Sequence, residues 1–331
     1  APYTISAMHA IFSGTYGTKT GVDSYWSSPK FKKDDYKTLI KYLKDDGYIT
    51  YGDTINKLVL PEIGFDELVI HDEINDDLTK RHINLLEKFN KIRTDGKKFF
   101  LYLHYSNIHT GIMQKVLKKY DNFSPEYFDN REKNEIFYDE LFENGDKYLG
   151  KIFDKCNELG ISDDTLIVVI SDHGISVGEK IGERAYGVFC YDYTLISTSI
   201  FSHKSFPTTT IESQVRSIDI LPTILESLSI PHDPNYEPMD GKSLFSIIGG
   251  KSESRISFSQ SGNPLNTGKP PKQPNIWAVR TDEWKFIKNI FNNTEELYDL
   301  QNDPHEIENV IDKYPKISDK FKYDMEKIVN N

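Results

Sequence analysis

The chain has 331 residues, 40 Lys and Arg against 51 Asp and Glu, and a formal net charge of -11. Hydrophobic residues make up 37% and aromatics 13%, which excludes a disordered chain, and two cysteines exclude a disulfide framework. No apolar run approaches the roughly 18 to 20 residues that span a bilayer. The acidic balance also argues against a nucleic-acid partner, whose sites carry a basic footprint.

The opening, Ala1-Pro2-Tyr3-Thr4, has no initiator Met, no basic stretch and no apolar signal core. Ile5 to Ser13 holds helix formers, and Gly14 is placed as a C-terminal stop, so Thr4 falls at the N-cap or just before it. A hydroxyl there faces unpaired N–H groups and the positive end of the helix dipole, which favours a nearby anion; an ordinary Thr cap is the plainer alternative. The charge run Lys30 to Asp35 reads as a solvated face. Lys37 to Asp46 has helical spacing and is stopped by Gly47.

Lys97 to Tyr105 is short and dense enough for a buried strand, with His104 as a sheet histidine and His109 in the loop beyond it. Glu135 to Leu159 reads as a long amphipathic helix, and Thr165 to Ser171 as a strand buried on both faces. Strand, crossover helix and strand imply a parallel sheet. Ser171-Asp172-His173-Gly174 closes the second strand, and ligands of open α/β sheets sit at such carboxyl ends. An Asp and a His there can reach one cation, or else form a plain helix-capping turn. Cys156 and Cys190 read as buried thiols. Asn122 to Ser124 and Asn292 to Thr294 fit the glycosylation pattern.

After residue 250 the texture changes. Ser261 to Pro274 reads as a loop, Trp277 to Val279 and Trp284 to Lys288 as a small antiparallel sheet, and Glu306 to Val329 as a terminal helix. Two domains are expected, a core over 1–250 and a subdomain over 251–331.

Taken in order, these blocks resemble the sulfatase family of the alkaline phosphatase superfamily. Ala1 to Val22 is similar to its nucleophile helix, Gly47-Tyr48-Ile49-Thr50 and Gly64-Phe65-Asp66-Glu67 to its second block. Phe99 to Leu103 with His109 resemble its middle strand and active-site histidine, and Ser171 to Gly174 with Gly178-Glu179 its metal motif. Ile218 to Thr223, Asp240 to Leu244, Ala278 to Thr281, Glu296 to Leu300 and Asp303-Pro304 follow as its later blocks. The resemblance implies a three-layer α/β/α sandwich with a mostly parallel central sheet, and a small carboxyl-terminal subdomain with a short antiparallel sheet and terminal helix.

It also implies a divalent metal (Ca, Mg, Mn or Zn) held by Asp172, His173 and Thr4, with Thr4 as nucleophile and His109 as the catalytic histidine. The family carries Cys or Ser within C-x-P-S-R and oxidises it to formylglycine. Here Thr4-Ile5-Ser6-Ala7-Met8 stands instead, and oxidation of Thr gives a ketone. That points to phosphodiesters or phosphonates in preference to sulfate esters. The family's Gly-Lys-x-His element is replaced by Asp53 to Lys57, and Tyr186 lies near the position of a later Lys or His. A family strand with two acidic ligands would precede the nucleophile helix, but the chain begins three residues before Thr4, so weak metal binding and slow turnover are expected of it as written.

The expected substrate is a small-molecule, glycan or lipid ester. Membrane contact is expected only through an anchor ahead of Ala1. A catalytically inactive binding or scaffold relative, and a lipid-head-group phosphotransferase, are the alternatives.

Overall fold

The computed structural model describes residues 1–24, 27–117, 125–183, 187–251, 253–262 and 274–330. Its first helix, α1 (Thr4–Ser13), ends on Gly14, whose φ of 63° lets its N–H return to the Ala10 carbonyl. Tyr3, with extended φ and ψ, takes the N-cap position, so Thr4 is the first helical residue and not the cap. In α2 (Leu39–Asp45) the cap is Thr38, whose hydroxyl accepts from the Lys41 N–H. Lys37, read as helical, stays outside.

Three parallel strands follow: β1 (Ile49–Thr54), β2 (Glu67–Ile70) and, after helix α3 (Leu78–Thr94), β3 (Phe99–Leu103). The order is β2-β1-β3, with Asp53 opposite both Val69 and Leu103. A short helix, α4 (Asn107–Ile112), and the long α5 (Arg131–Glu158) lead to β4 (Ile167–Ile170). That strand pairs antiparallel with β5 (Ser199–Ser202), as a separate two-stranded ladder.

Helices cover both faces. Met8, Ile11 and Phe12 of α1 pack with Leu39, Ile40 and Leu43 of α2 and with Leu221 and Leu225 of α6 (Ile220–Ser227). Phe100 and Tyr102 of β3, and Val168 and Ile170 of β4, rest on this layer. On the other face Leu86 of α3 and Tyr148, Ile152 and Cys156 of α5 receive Leu101 and Ile167. The result is the three-layer α/β/α sandwich with its parallel strands at the centre.

β3 and β4, expected to share one ladder through the crossover helix, are not hydrogen-bonded to each other. Each is an edge strand, and every residue of both lines one cavity of about 1870 Å³. All four residues of β4 are therefore half-buried instead of buried on both faces. The two ladders are held in one plane by the shared helix layers and separated by the cavity.

Beyond residue 250, β6 (Ser257–Ser261), β7 (Ile276–Arg280), β8 (Trp284–Asn289) and β9 (Thr294–Asp299) form an antiparallel meander. Most of the 261–274 loop, with Asn122 to Ser124 and Tyr186, lies outside the described residues. The last helix, α7 (Pro315–Asn330), starts later than its pattern suggested. Glu306, read as its first residue, is buried with a φ of 55° and pairs with Lys285 at 2.8 Å. Lys285, fully buried, also holds Asp192 at 2.8 Å, which ties the meander to the core. A buried charge is tolerated only when paired in this way. Cys156 and Cys190 are buried and free. Among the described residues no helix is long and apolar enough to cross a membrane.

Unpaired strand edges exchange and associate readily. In native-state hydrogen exchange, amides of β1, paired on both sides, are expected to be protected well beyond the unpaired ones of β3 and β4. Equal protection in all three strands would contradict the open-edged arrangement.

Candidate active site

Asp172 and His173 leave the carboxyl end of β4. The Ser171 N–H donates to the Thr198 carbonyl at 2.9 Å, and its hydroxyl accepts from the Thr198 N–H at 2.8 Å, so β4–β5 pairing runs up to the site. The Gly174 N–H then donates to the Thr194 carbonyl at 3.0 Å. Between these anchors His173 points Nε2 at Thr4, 3.2 Å from its Oγ1. Asp172 Oδ2 lies 3.4 Å from the same nitrogen, and the Thr4 hydroxyl is among the groups that lower the Asp172 carboxyl. The structure thus brings Thr4, Asp172 and His173 to one point, at the first turn of α1.

The tautomer of His173 follows from its other nitrogen. Nδ1 faces the Gly174 carbonyl at 2.7 Å, which can only accept, so in the neutral ring Nε2 presents a lone pair to Thr4. Burial alone would raise the Asp172 carboxyl. The His173 ring, the Thr4 hydroxyl and His104 outweigh it and hold Asp172 below the usual carboxylate range.

His109 lies in the first turn of α4 and not in a loop. It lines the same cavity, and burial lowers its pKa, with Glu73, His173 and Asp172 as the charges that act on it. His104, just past β3, bonds Thr54 Oγ1 through Nδ1 at 3.2 Å and also lines the cavity. Asp172 is the largest charge acting on it, so His104 stands between the site and the β1–β2 edge. Glu179 turns away: its carboxylate accepts from the Ser176 hydroxyl and from the Val177 and Gly178 N–H groups, closing its own loop. Lys57 is exposed in a short helical turn.

A second polar cluster, missed in the sequence, occupies the carboxyl edge of the parallel ladder. Asp53 ends β1, His71 follows β2, and His82 is on α3; all three are buried. His71 Nδ1 meets Asp53 Oδ1 at 2.6 Å and its Nε2 meets Ser106 Oγ at 2.9 Å. Arg81 donates through Nε to Asp53 Oδ2. His82 Nδ1 meets the Tyr148 hydroxyl at 2.6 Å. Burial raises the Asp53 carboxyl less than His71 and Arg81 lower it. The available signal was Asp53 itself, an acid near the end of a strand.

The family model "Sulfatase" matches residues 1–230, and "N-sulphoglucosamine sulphohydrolase, C-terminal" matches 189–331. The chain belongs to the sulfatase family, within the alkaline phosphatase superfamily.

It is similar to arylsulfatase K of Mus musculus, 24% identical over 252 residues, which are 72% of this chain and 43% of that protein. It is similar also to the multifunctional alkaline phosphatase superfamily protein PehA of Trinickia caryophylli, 26% identical over 181 residues, 50% of this chain and 34% of that one. The chain spans less than half the length of these relatives. Among solved structures, BT4656, in complex with its substrate D-glucosamine-2-N,6-O-disulfate, shares the fold with a TM-score of 0.72 at 16% identity, over 99% of this chain and 89% of that one.

Burial holds His9, His82 and His104 near pKa 4, against an ordinary 6.5. The unfolded chain therefore takes up these protons first as the solution is acidified. Stability present above about pH 6.5 is lost as pH falls toward 4. Thermal melts are expected to be flat near neutrality and to drop steeply across this window; a constant melting temperature from pH 6.5 to 4 would contradict the burial of these rings.

Proposed function

We propose that this chain forms the catalytic core, over 1–250, and carboxyl-terminal subdomain, over 251–331, of a hydrolase of sulfate or phosphate esters with Thr4 as nucleophile and a preference for phosphoryl substrates. The observation that carries it is the Thr4 hydroxyl 3.2 Å from His173 Nε2, with Asp172 Oδ2 3.4 Å from the same nitrogen, all three residues lining the cavity.

The donor set fits a divalent cation. Thr4 Oγ1, Asp172 Oδ2 and the His173 Nε2 lone pair converge at separations of 3.2 and 3.4 Å to the shared nitrogen. Two donors bound to one ion at about 2.0 to 2.6 Å stand roughly this far apart. A bound cation would supply charge for the transferring group's oxygens and ease loss of the Thr4 proton.

The chain's own residues do the rest. Thr4 is the first residue of the helix, and its short β-branched side chain has one rotatable bond to place the oxygen. His173, oriented by the Gly174 carbonyl, accepts the Thr4 proton when its lone pair is free. His109, its pKa lowered by burial, is set to carry a proton to or from the leaving oxygen. Three protein donors are few for an oxygen-loving ion. The open edges of β3 and β4 support a further strand in the cavity between them, bearing carboxylates toward Asp172.

Thr is no source of the formylglycine aldehyde, which supports a phosphoryl preference. The arylsulfatase names of the relatives support sulfate esters. Turnover of bis-p-nitrophenyl phosphate, p-nitrophenyl phosphate and p-nitrophenyl sulfate with Mn²⁺, Mg²⁺, Zn²⁺ or Ca²⁺ separates the two. Phosphate-ester turnover is expected to exceed sulfate turnover, to vanish in Thr4→Ala, and to fall about 10²–10⁴-fold in His109→Gln. A faster sulfate rate reverses the preference, and a Thr4→Ala rate near wild type removes Thr4 from the reaction. No turnover of any ester, with the cavity occupied by a strand, favours a binding protein.

A further inference from the structure

Among the described residues, Asp53, His71 and His82 are the group of three or more His, Cys, Asp or Glu whose ligand atoms lie together, all within 4.8 Å of one another. We propose that they form a site for a transition-metal dication of the zinc type, distinct from the cation site at Thr4, Asp172 and His173. The inference is independent of the proposed activity.

Two features point to a ligand. The first is His82 Nε2. His82 is fully buried, and this nitrogen has no hydrogen-bond partner. A buried polar atom left unmade costs about 1–3 kcal/mol and calls for an explanation. The second is the set of outer partners. Metal-bound imidazoles characteristically donate their other N–H to an oxygen, which fixes the ring. Here His82 Nδ1 faces the Tyr148 hydroxyl at 2.6 Å and His71 Nε2 faces Ser106 Oγ at 2.9 Å. Asp53 Oδ2 is held by Arg81, which leaves Oδ1 as the metal-facing oxygen. One carboxylate and two imidazoles suit Zn²⁺ or Co²⁺, and offer too few oxygens for Ca²⁺ or Mg²⁺.

Binding requires small changes. Donors around one zinc at about 2.0–2.1 Å stand roughly 3–3.5 Å apart, so a pair as wide as 4.8 Å must close by roughly 1.3–1.8 Å while Asp53 Oδ1 and His71 Nδ1 open. The hydrogen bond between those two atoms, 2.6 Å long, gives way to the ion. Ser106 Oγ, 2.9 Å from His71 Nε2, is placed to accept a proton carried on that nitrogen once Nδ1 faces the ion. Arg81 opposes the ion, and Asp76, 3.4 Å from the guanidinium, offsets it in part. The three ligands come from β1, the segment after β2, and α3, so an ion there would staple the edge of the ladder.

The test is a titration of the purified chain with Co²⁺, read by its visible absorption, and with Zn²⁺, read by calorimetry and thermal melting. Expected is a site, additional to any that is lost in Asp172→Ala, whose affinity falls at least tenfold in His82→Gln and in Asp53→Asn and which survives in Asp172→Ala. Arg81→Gln is expected to tighten it. No Co²⁺ spectrum and no Zn²⁺-induced rise in melting temperature in the wild-type chain would overturn the proposal. So would equal affinity in wild type and His82→Gln, or loss in Asp172→Ala alone. If His82→Gln does not fold, the Arg81→Gln arm decides: affinity unchanged or weaker overturns the site.

Discussion

The parallel ladder centred on β1 is the constraint from which the chemistry of this chain follows. Parallel pairing sets the carboxyl ends of β2, β1 and β3 side by side, with Asp53 opposite Val69 on one side and Leu103 on the other. The ladder continues one residue further on each flank. The His71 N–H donates to the Thr54 carbonyl at 3.0 Å, and the His104 N–H to the Asp53 carbonyl at 3.0 Å. Those two bonds fix the backbones from which both imidazoles project. Gly52 in the middle of β1 belongs to the same device, because a Cβ there would stand 2.6 Å from Leu68 and 2.9 Å from Phe65. The close packing of the β1–β2 pair leaves no room for a side chain.

Electrostatics then decide what can be kept at that edge. An acid buried in a sandwich is costly unless its oxygens are bonded. Asp53 meets that condition with His71 on one oxygen and Arg81 on the other, and Asp172 meets it with Thr4 and His173. The two acids belong to different ladders, yet His104 lies in the field of both, with Asp172 the stronger influence. His71, His104, Asp172, His173 and Thr4 thus line one cavity, with His82 and Arg81 of α3 behind them at the Asp53 end. Burial keeps His82 and His104 neutral near pH 7, so this group holds lone pairs as well as charges.

The carboxyl-terminal meander contributes from a distance. Phe258, Val279, Phe286 and Leu297 bury themselves with Phe321 and Met325 of α7 and reach Tyr16 and Ile218 of the core. Asp219, fully buried, takes Arg216 at 2.8 Å and Arg255 at 2.9 Å, and Lys285 bridges Asp192 and Glu306. Asp192 precedes Thr194, whose carbonyl receives the Gly174 N–H. The charge pairs that seat the meander therefore also fix the segment against which the Asp172–His173 turn is built.

The sequence by itself determined the local features whose physics is short-range. Gly14 and Gly47 mark helix ends because they adopt positive φ without a Cβ clash. The long helix before β4, the two middle strands of the meander and the Asp172–His173 turn were legible from periodicity and from the rule of strand carboxyl ends, whereas β6 and β9 were not. Ordered motifs pointed to the sulfatase family, whose model covers 1–230. What only the tertiary structure decided depends on partners distant in the chain. Thr165 to Ser171 is apolar enough for a strand buried on both faces, but no residue pattern states which strand lies beside it; open edges were expected only from the family resemblance, which sets a strand ahead of the nucleophile helix, and the structure shows that β3 and β4 carry them. Glu306 has the pattern of a helix start, and Lys285, 21 positions earlier, draws it into the core instead. Asp53, His71 and His82 share no spacing that a motif could record. Only the folding of β1, β2 and α3 against one another makes them neighbours, and the unpartnered nitrogen of His82 exists only once that packing has excluded water.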